Sequence, residues 1–205
     1  MSEDFTHPDF WNTRYAAGRT PWDFGGVPLP LARFLAAHTE ALRAGARVLI
    51  PGCGTGHEIE AFAAAGCDVT AIDLSAEAVG RARARGHATE NVRVIEGDFF
   101  TQGFSAAPFD LIYERTFLCA LPTELWPKMT ARAAGLLRPG GVLAGLYFFG
   151  EKDDGPPFGL AAEEPEKLFG PHFELTRDEP VAPGESLPLF AGRERWQERR
   201  RKPHE

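Results

Sequence analysis

Cysteine is scarce in this chain. There are three, Cys53, Cys67 and Cys119, an odd number, and no two stand at CxxC spacing. A disulfide framework is therefore not expected, and a reducing, cytoplasmic setting is. The six histidines, His7, His38, His57, His87, His172 and His204, form no HExxH motif and no Cys/His cluster of zinc spacing, so no metal site is expected. Basic charge is also short: 22 Lys and Arg stand against 29 Asp and Glu, a formal charge of −7. Binding to a phosphate backbone draws on an excess of positive charge, so nucleic acid is not an expected partner. No apolar run approaches the roughly 18 residues that span a bilayer, so no membrane partner is expected. The first residues, Met1-Ser2-Glu3-Asp4-Phe5, are acidic, where a secretory signal has a basic stretch followed by an apolar one.

What the chain has is an alternation of short apolar runs with helical patterns. Its 205 residues suit one domain with a single core, and 43% hydrophobic with 25% charged residues is ordinary globular composition. Residues 1–27 are rich in aromatics and turn formers, with Phe5, Phe10, Trp11 and Tyr15 ahead of Pro21-Trp22-Asp23-Phe24-Gly25-Gly26. They read as a short helix followed by a looped segment that serves as a lid. A helix is expected over 28–37. Arg47–Ile50, closed by Pro51 and glycines, reads as a buried strand, and Ile59, Phe62 and Ala63 recur at helical spacing after it. Gly66 is placed to cap that helix. Asp68–Asp73 is a second strand, and Ser75 with Glu77 starts a helix ending at Gly86. Strands are expected at Val92–Ile95, Phe109–Tyr113 and Val142–Phe149, with a helix from Pro122 to Leu137 stopped by Pro139-Gly140-Gly141. A short helix near Leu168-Phe169-Gly170 and late strands at Phe173–Leu175 and Glu194–Trp196 complete the reading. The basic stretch Arg193–Lys202, with Glu194 and Glu198 interleaved, is expected to be a solvated late strand and tail. Such alternation argues for an α/β domain with a parallel sheet and helices on both faces.

Gly52-Cys53-Gly54-Thr55-Gly56 lies between the first strand and the next helix. Missing side chains let the backbone approach a ligand, and this end of the strands is where open α/β sheets bind one. The dinucleotide fingerprint G-x-G-x-x-G fails, because His57 holds its last position. Asp73 ends the second strand 21 positions after Gly52, where a carboxylate accepts from ribose hydroxyls, with Leu74 beside it. The alternative for Asp73 is a helix cap near Ser75. Asp98 is a candidate acceptor for an adenine amino group, and Phe99 a candidate to pack on the ring; plain core is the alternative for Phe99. No tyrosine has lysine four positions on: Arg19, Phe117 and Glu151 follow Tyr15, Tyr113 and Tyr147. The Tyr-x-x-x-Lys pair of an NAD-dependent short-chain reductase is therefore missing.

Together these residues resemble the class I S-adenosylmethionine-dependent methyltransferases. Trp11 with Gly18-Arg19-Thr20-Pro21-Trp22-Asp23, then Val48–Gly54, Phe109–Ala120, Leu136–Gly141 and Gly155-Pro156-Pro157-Phe158 narrow the resemblance to the thiopurine S-methyltransferase group, which includes the thiol and halide methyltransferases. It implies a Rossmann-like, mostly parallel seven-stranded sheet with helices on both faces, formed by one domain over 1–205. It also implies a monomer that methylates a small-molecule thiol-type acceptor; an O or N acceptor is the alternative. S-adenosylmethionine is the implied cofactor, with contacts from Trp11, Trp22, Gly52, Gly54, Gly56, Asp73, Leu74, Asp98, Phe99 and Arg115. Gly52 and Asp73 lean toward the thiol and halide branch, where thiopurine enzymes usually have leucine and glutamate; Arg115 leans the other way. Tyr113-Glu114-Arg115-Thr116 stands where amino-directed enzymes often have an Asn/Asp-Pro-Pro-aromatic motif.

The cofactor's sulfonium charge vanishes as the methyl leaves, and aromatic faces favour such a cation. Trp11, Trp22 and Tyr147 are candidates for that role, and Trp22 reads equally as packing its segment onto the sheet. Arg115 is the candidate for drawing in an anionic nucleophile, with a salt bridge to Glu114 or another acid as its alternative. Phe158 is expected over the substrate. A thiol is partly ionised at neutral pH, so no catalytic triad is expected. Cys53 and Cys119 are expected to fill small buried spaces.

Overall fold

A computed structural model describes residues 4–43, 45–86, 90–150 and 155–203. The acidic start Met1–Glu3, and His87, Glu151, His204 and Glu205, lie outside the described residues. The chain divides into two compact units, Met1–Ser105 and Ala106–Glu205.

In the first unit, α1 (Pro8–Ala16) begins with proline at its first position and a His7 ring nitrogen accepting from the Asp9 amide at 3.3 Å. α2 (Leu29–Ala37) buries Leu31 and Phe34, and α3 (Thr39–Arg43) adds a turn of helix that the pattern did not announce. β1 (Arg47–Pro51) is buried from Val48 onward. α4 (His57–Ala64) buries Ile59 and Phe62, and Gly66 follows it with φ 91°. β2 (Asp68–Asp73) leads to α5 (Ala76–Ala84), whose Ser75 cap accepts from the Ala78 amide at 3.2 Å. β3 (Val92–Glu96) pairs parallel with β2, and β2 with β1.

In the second unit, β4 (Phe109–Arg115) is followed by two 3-10 turns, Leu118–Ala120 and Thr123–Leu125, and by α6 (Trp126–Leu136). β5 (Leu137–Phe148) pairs parallel with β4. The helix ends at Leu136, one residue before the expected Leu137, but the structure corrects the start of the strand, which was expected at Val142 and lies at Leu137. Leu137 is already extended, with ψ 149°, and Pro139-Gly140-Gly141 falls within the span of β5 as an irregular stretch, with Gly140 at φ 73° and the register shifting between the Leu137 and Val142 pairings. Pro139 bars Arg138 from the helical region, so the chain enters the strand early. α7 (Glu164–Phe169), β6 (Phe173–Pro180) and β7 (Glu194–Arg201) complete the unit.

The strand order is β3-β2-β1-β4-β5-β7-β6; the β1–β2, β2–β3 and β4–β5 pairs are parallel, and β7 runs against β5 and β6. β7 corrects the reading of Arg193–Lys202 as a solvated strand. It has a neighbour on each side, and Glu194, Trp196, Gln197, Arg199 and Arg201 are buried. Their charges are met in part by local groups, while one Glu194 oxygen and the Arg199 Nε are buried without a partner. Glu194 accepts from the Ser186 hydroxyl and the Leu187 amide at 2.6 and 2.7 Å. The Arg199 guanidinium lies 4.3 Å from the Phe169 ring centroid and donates to Gln197 at 2.8 Å. Arg201 donates to the Leu137 carbonyl. A polar strand becomes interior when its side chains bring their own partners.

Candidate active site

In the first unit, the turn after β1 is held open by glycine. Gly52, Gly54 and Gly56 have φ of 59°, 54° and 80°, left-handed values that glycine adopts without strain. A Cβ on Gly54 would sit 3.0 Å from the Tyr15 hydroxyl, and one on Gly56 would sit 2.9 Å from the Ala82 Cβ. Gly56 caps α4 without a side chain, so that helix begins with bare amides. Asp73, at the end of β2, accepts from the Gly54 amide at 2.8 Å and the Ser75 amide at 2.9 Å. It thus ties the glycine turn to the start of α5, and each oxygen keeps a further acceptor direction. Burial raises its carboxyl above the usual range, against the pull of those amides.

The N-terminal segment is fastened to this turn. Trp22 donates its indole N–H to the Tyr15 hydroxyl at 3.2 Å and stands edge-on to Trp11 and Tyr15, with ring centroids 5.5 and 5.8 Å away. Trp11 donates to the Phe5 carbonyl at 2.8 Å. Asp23 accepts from the Thr55 hydroxyl at 2.8 Å and lies 3.1 Å from the His57 ring nitrogen. Asn12 accepts from the Ser75 hydroxyl at 2.7 Å and from the Glu77 amide at 3.3 Å. Arg81 donates to the Tyr15 carbonyl. Burial, with Asp73 nearby, pushes the Tyr15 hydroxyl above its ordinary range.

Tyr15, Asn12 and Asp23 are contacts that the sequence reading missed. Tyr15 had a signal: it lies four residues after Trp11 on one helix, and so on the same face. Leu74 is half-buried beside Asp73. At the end of β3, Asp98 accepts from the Phe100 amide at 2.8 Å and the Thr101 hydroxyl at 3.2 Å. Phe99 is buried and stands edge-on to Phe100, 5.4 Å between centroids. The Gly97 amide, donating to the Asp73 carbonyl at 2.9 Å, links that turn to the end of β2. Bare backbone at the glycine turn and a fixed carboxylate at the next strand end suit a nucleoside with ribose hydroxyls.

In the second unit, β4 ends in Glu114 and Arg115, both buried, followed by Thr116 in the left-handed region at φ 56°. Such a conformation costs a β-branched residue roughly 1–3 kcal/mol. Glu114 opposes that: one carboxylate oxygen accepts from the Phe117 and Leu118 amides, both at 2.9 Å. Its other oxygen is buried without a partner, and so is the Tyr147 hydroxyl. Burial pushes the Glu114 carboxyl up to about 7; Glu194 adds to this, while the two amides and the Arg115 charge oppose it. Glu114, Cys119, Tyr147 and Phe158 line one small cavity with Leu118 and Phe148, with room for about one water-sized group. The expected substrate residues Tyr147 and Phe158 thus meet; Arg115 is not among the lining residues. The Phe158 amide donates to the Cys119 carbonyl at 2.7 Å, which holds that loop in place. Cys53, Cys67 and Cys119 are all buried free thiols.

Solved structures of similar fold are methyltransferases. The 1,6-didemethyltoxoflavin N1-methyltransferase of Burkholderia thailandensis superposes with TM-score 0.71 at 21% identity, covering 96% of this chain and 87% of that one. The magnesium protoporphyrin IX methyltransferase of Synechocystis PCC 6803 gives TM-score 0.70 at 19% identity, with 95% of each chain covered. The fold is therefore that of the class I S-adenosylmethionine-dependent methyltransferases. The sequence is more specific. Residues 6–202 match the profile of the thiopurine S-methyltransferase (TPMT) family. The Arabidopsis thaliana protein named "Probable thiol methyltransferase 2" is 38% identical over 165 residues, 78% of this chain and 71% of that one. The thiopurine S-methyltransferase of Vibrio vulnificus is 33% identical over 178 residues, 78% and 80% of the two chains. The chain belongs to the thiopurine S-methyltransferase family, and it is an S-adenosylmethionine-dependent methyltransferase.

Proposed function

We propose that the chain methylates a small thiol-type acceptor, working in the cytoplasm as a monomer on small molecules and not on nucleic acid. The cavity in the second unit carries this reading: aromatic and aliphatic walls, room for about one water-sized group, and a single carboxylate. A sulfur atom fits such a place, being soft, weakly hydrated and in need of little polar support.

The cofactor supplies an electrophilic methyl group on a sulfonium sulfur. The proposed holders are Gly52, Gly54 and Gly56 by their backbone, Asp73 with Leu74 toward the ribose, and Asp98 with Phe99 toward the adenine. Trp11 and Trp22 present aromatic surface to the positive charge, an effect of roughly 0.5–2 kcal/mol for a cation over a ring. Residues 1–27 act as the lid of a single catalytic domain, excluding water and holding the nucleophile in line. Trp22 closes that lid, and Arg115 attracts an anionic acceptor or orients the cofactor. Tyr147 and Phe158 bound the acceptor.

Incubating the protein with cofactor and a panel of thiols, hydrosulfide, iodide and a thiopurine, with product masses measured, tests the reading. Methylated sulfur products are expected. No turnover across the panel, with cofactor binding seen by calorimetry, overturns the thiol acceptor and leaves the fold untouched.

A further inference from the structure

We propose that Glu114 is the proton acceptor for neutral thiols, its unpartnered carboxylate oxygen facing the nucleophile across the small cavity that it shares with the Tyr147 hydroxyl. The inference rests on the thiol-acceptor reading above and adds to it a residue that neither composition nor motif singled out.

The geometry separates the two oxygens of Glu114 into two tasks. One is fully engaged, accepting from the Phe117 and Leu118 amides and so fixing the side chain's direction. The other has no partner, although the residue is 1% exposed. A buried carboxylate oxygen left unmet is costly, and a proton received from a thiol acceptor would relieve that cost; Glu194 also keeps one oxygen unmet, but only Glu114 lines the cavity. On β5, Gly145 leaves room for Glu114: a Cβ there would lie 3.0 Å from the Glu114 Cβ. Tyr147 stands two residues further along, its hydroxyl also unpartnered and its pKa raised by burial, with Glu114 adding to the rise.

The charged and titratable groups around Glu114 come from three elements and one turn. Glu194 at the start of β7 and burial favour its protonated form, and Arg115 on β4 favours the ionised one. The Cys119 thiol and the Tyr147 hydroxyl are neutral neighbours, each held in that form by burial and by the Glu114 charge. The balance leaves Glu114 titrating at about 7, close to where a base at neutral pH is most effective.

The step balances. The S–H bond of the acceptor breaks, its proton passes to the free oxygen of Glu114, and its electron pair stays on sulfur. That sulfur forms the new S–CH3 bond as the methyl's bond to the sulfonium breaks, the old bonding pair remaining on the departing sulfur. When the thioether leaves and water re-enters the cavity, Glu114 loses the proton to solvent. Iodide carries no proton and needs no such acceptor.

Two substrates and one substitution test this. With 2-mercaptoethanol, wild-type kcat/KM should rise through a pH of about 7, the Glu114 ionisation. In Glu114→Gln, which keeps the oxygen that caps Phe117 and Leu118, the rise should move up to the thiol's own ionisation, and thiol turnover at neutral pH should fall about a hundredfold. Iodide turnover should fall at least tenfold less than thiol turnover. Equal losses for both substrates would mark Glu114 as a structural cap and overturn the proposal, as would a thiol profile unchanged by the substitution. If the variant does not fold, or iodide gives no turnover, the wild-type thiol profile decides: a rise near 7 supports the role, and a rise only at the thiol's ionisation overturns it. A wild type that binds cofactor but methylates no thiol fails at the acceptor reading, before the role of Glu114 is reached.

Discussion

Glu114 makes stability depend on pH in a direction opposite to that of an ordinary salt-bridged carboxylate. Its pKa is about 7 when folded against a usual 4.5. Between those values the unfolded chain has released the proton and the folded chain holds it, so this group's contribution to stability falls as pH rises through that window. The loss is complete above about pH 7 and amounts to roughly 3 kcal/mol at most. Urea unfolding at pH 5 and pH 8 should show a smaller pH difference in Glu114→Gln than in the wild type. Gly56 offers a second test. With φ 80° and the Ala82 Cβ 2.9 Å from where its own would be, Gly56→Ala should cost about 1–3 kcal/mol, read as a lower melting temperature. These two residues were unequally legible. Gly56 sits in a spaced glycine motif that declares itself, whereas Glu114 read only as an ion-pair partner for Arg115. A carboxylate becomes an acid–base group through what surrounds it, and those surroundings come from residues 118–119, 147 and 194.

At the scale of elements, the alternation of strands and helices was readable because core-facing runs and glycine stops follow directly from periodicity. β1 to β4, α4, α5 and the late strands start where the pattern put them, β5 starts at Leu137 where Val142 was expected, and α3 was not announced. α6 ends at Leu136, one residue from where the pattern put it, whereas the start of β5 was misplaced because Pro139-Gly140-Gly141 reads as a turn, yet is an irregular stretch between the Leu137 and Val142 pairings. The attachment of α1 to α5 was not legible at all, since Asn12 and Ser75 lie 63 positions apart. It carries its own prediction. Asn12→Ala removes the acceptor for the Ser75 hydroxyl and the Glu77 amide. The expected loss is roughly 1–2 kcal/mol, with faster tryptic cleavage after Arg14 and Arg19. Bound S-adenosylhomocysteine should slow that cleavage if the segment closes over the cofactor, and cleavage equally fast with and without it would count against the lid.

On the scale of the whole molecule, a cofactor that binds only the folded chain stabilises all of it. S-adenosylhomocysteine at a hundred times its Kd should add about 2.7 kcal/mol, measurable as a concentration-dependent rise in melting temperature. β7 supplies the complementary test: Arg199→Ala, which removes the contact with Phe169 and strands the Gln197 carbonyl, should destabilise by about 2–4 kcal/mol. The sequence by itself determined the α/β class, the glycine turn, Asp73 at the end of β2 and the family, because each rests on local spacing or on ordered motifs. Only the tertiary structure decided that a strand as charged as Glu194–Arg201 is interior, since burial depends on having neighbours on both sides. It alone decided that Tyr15 and Asp23 fasten the N-terminal segment to the glycine turn, and that Glu114 keeps one oxygen unmet beside Tyr147. Such facts depend on which distant groups meet, and spacing along the chain does not encode that.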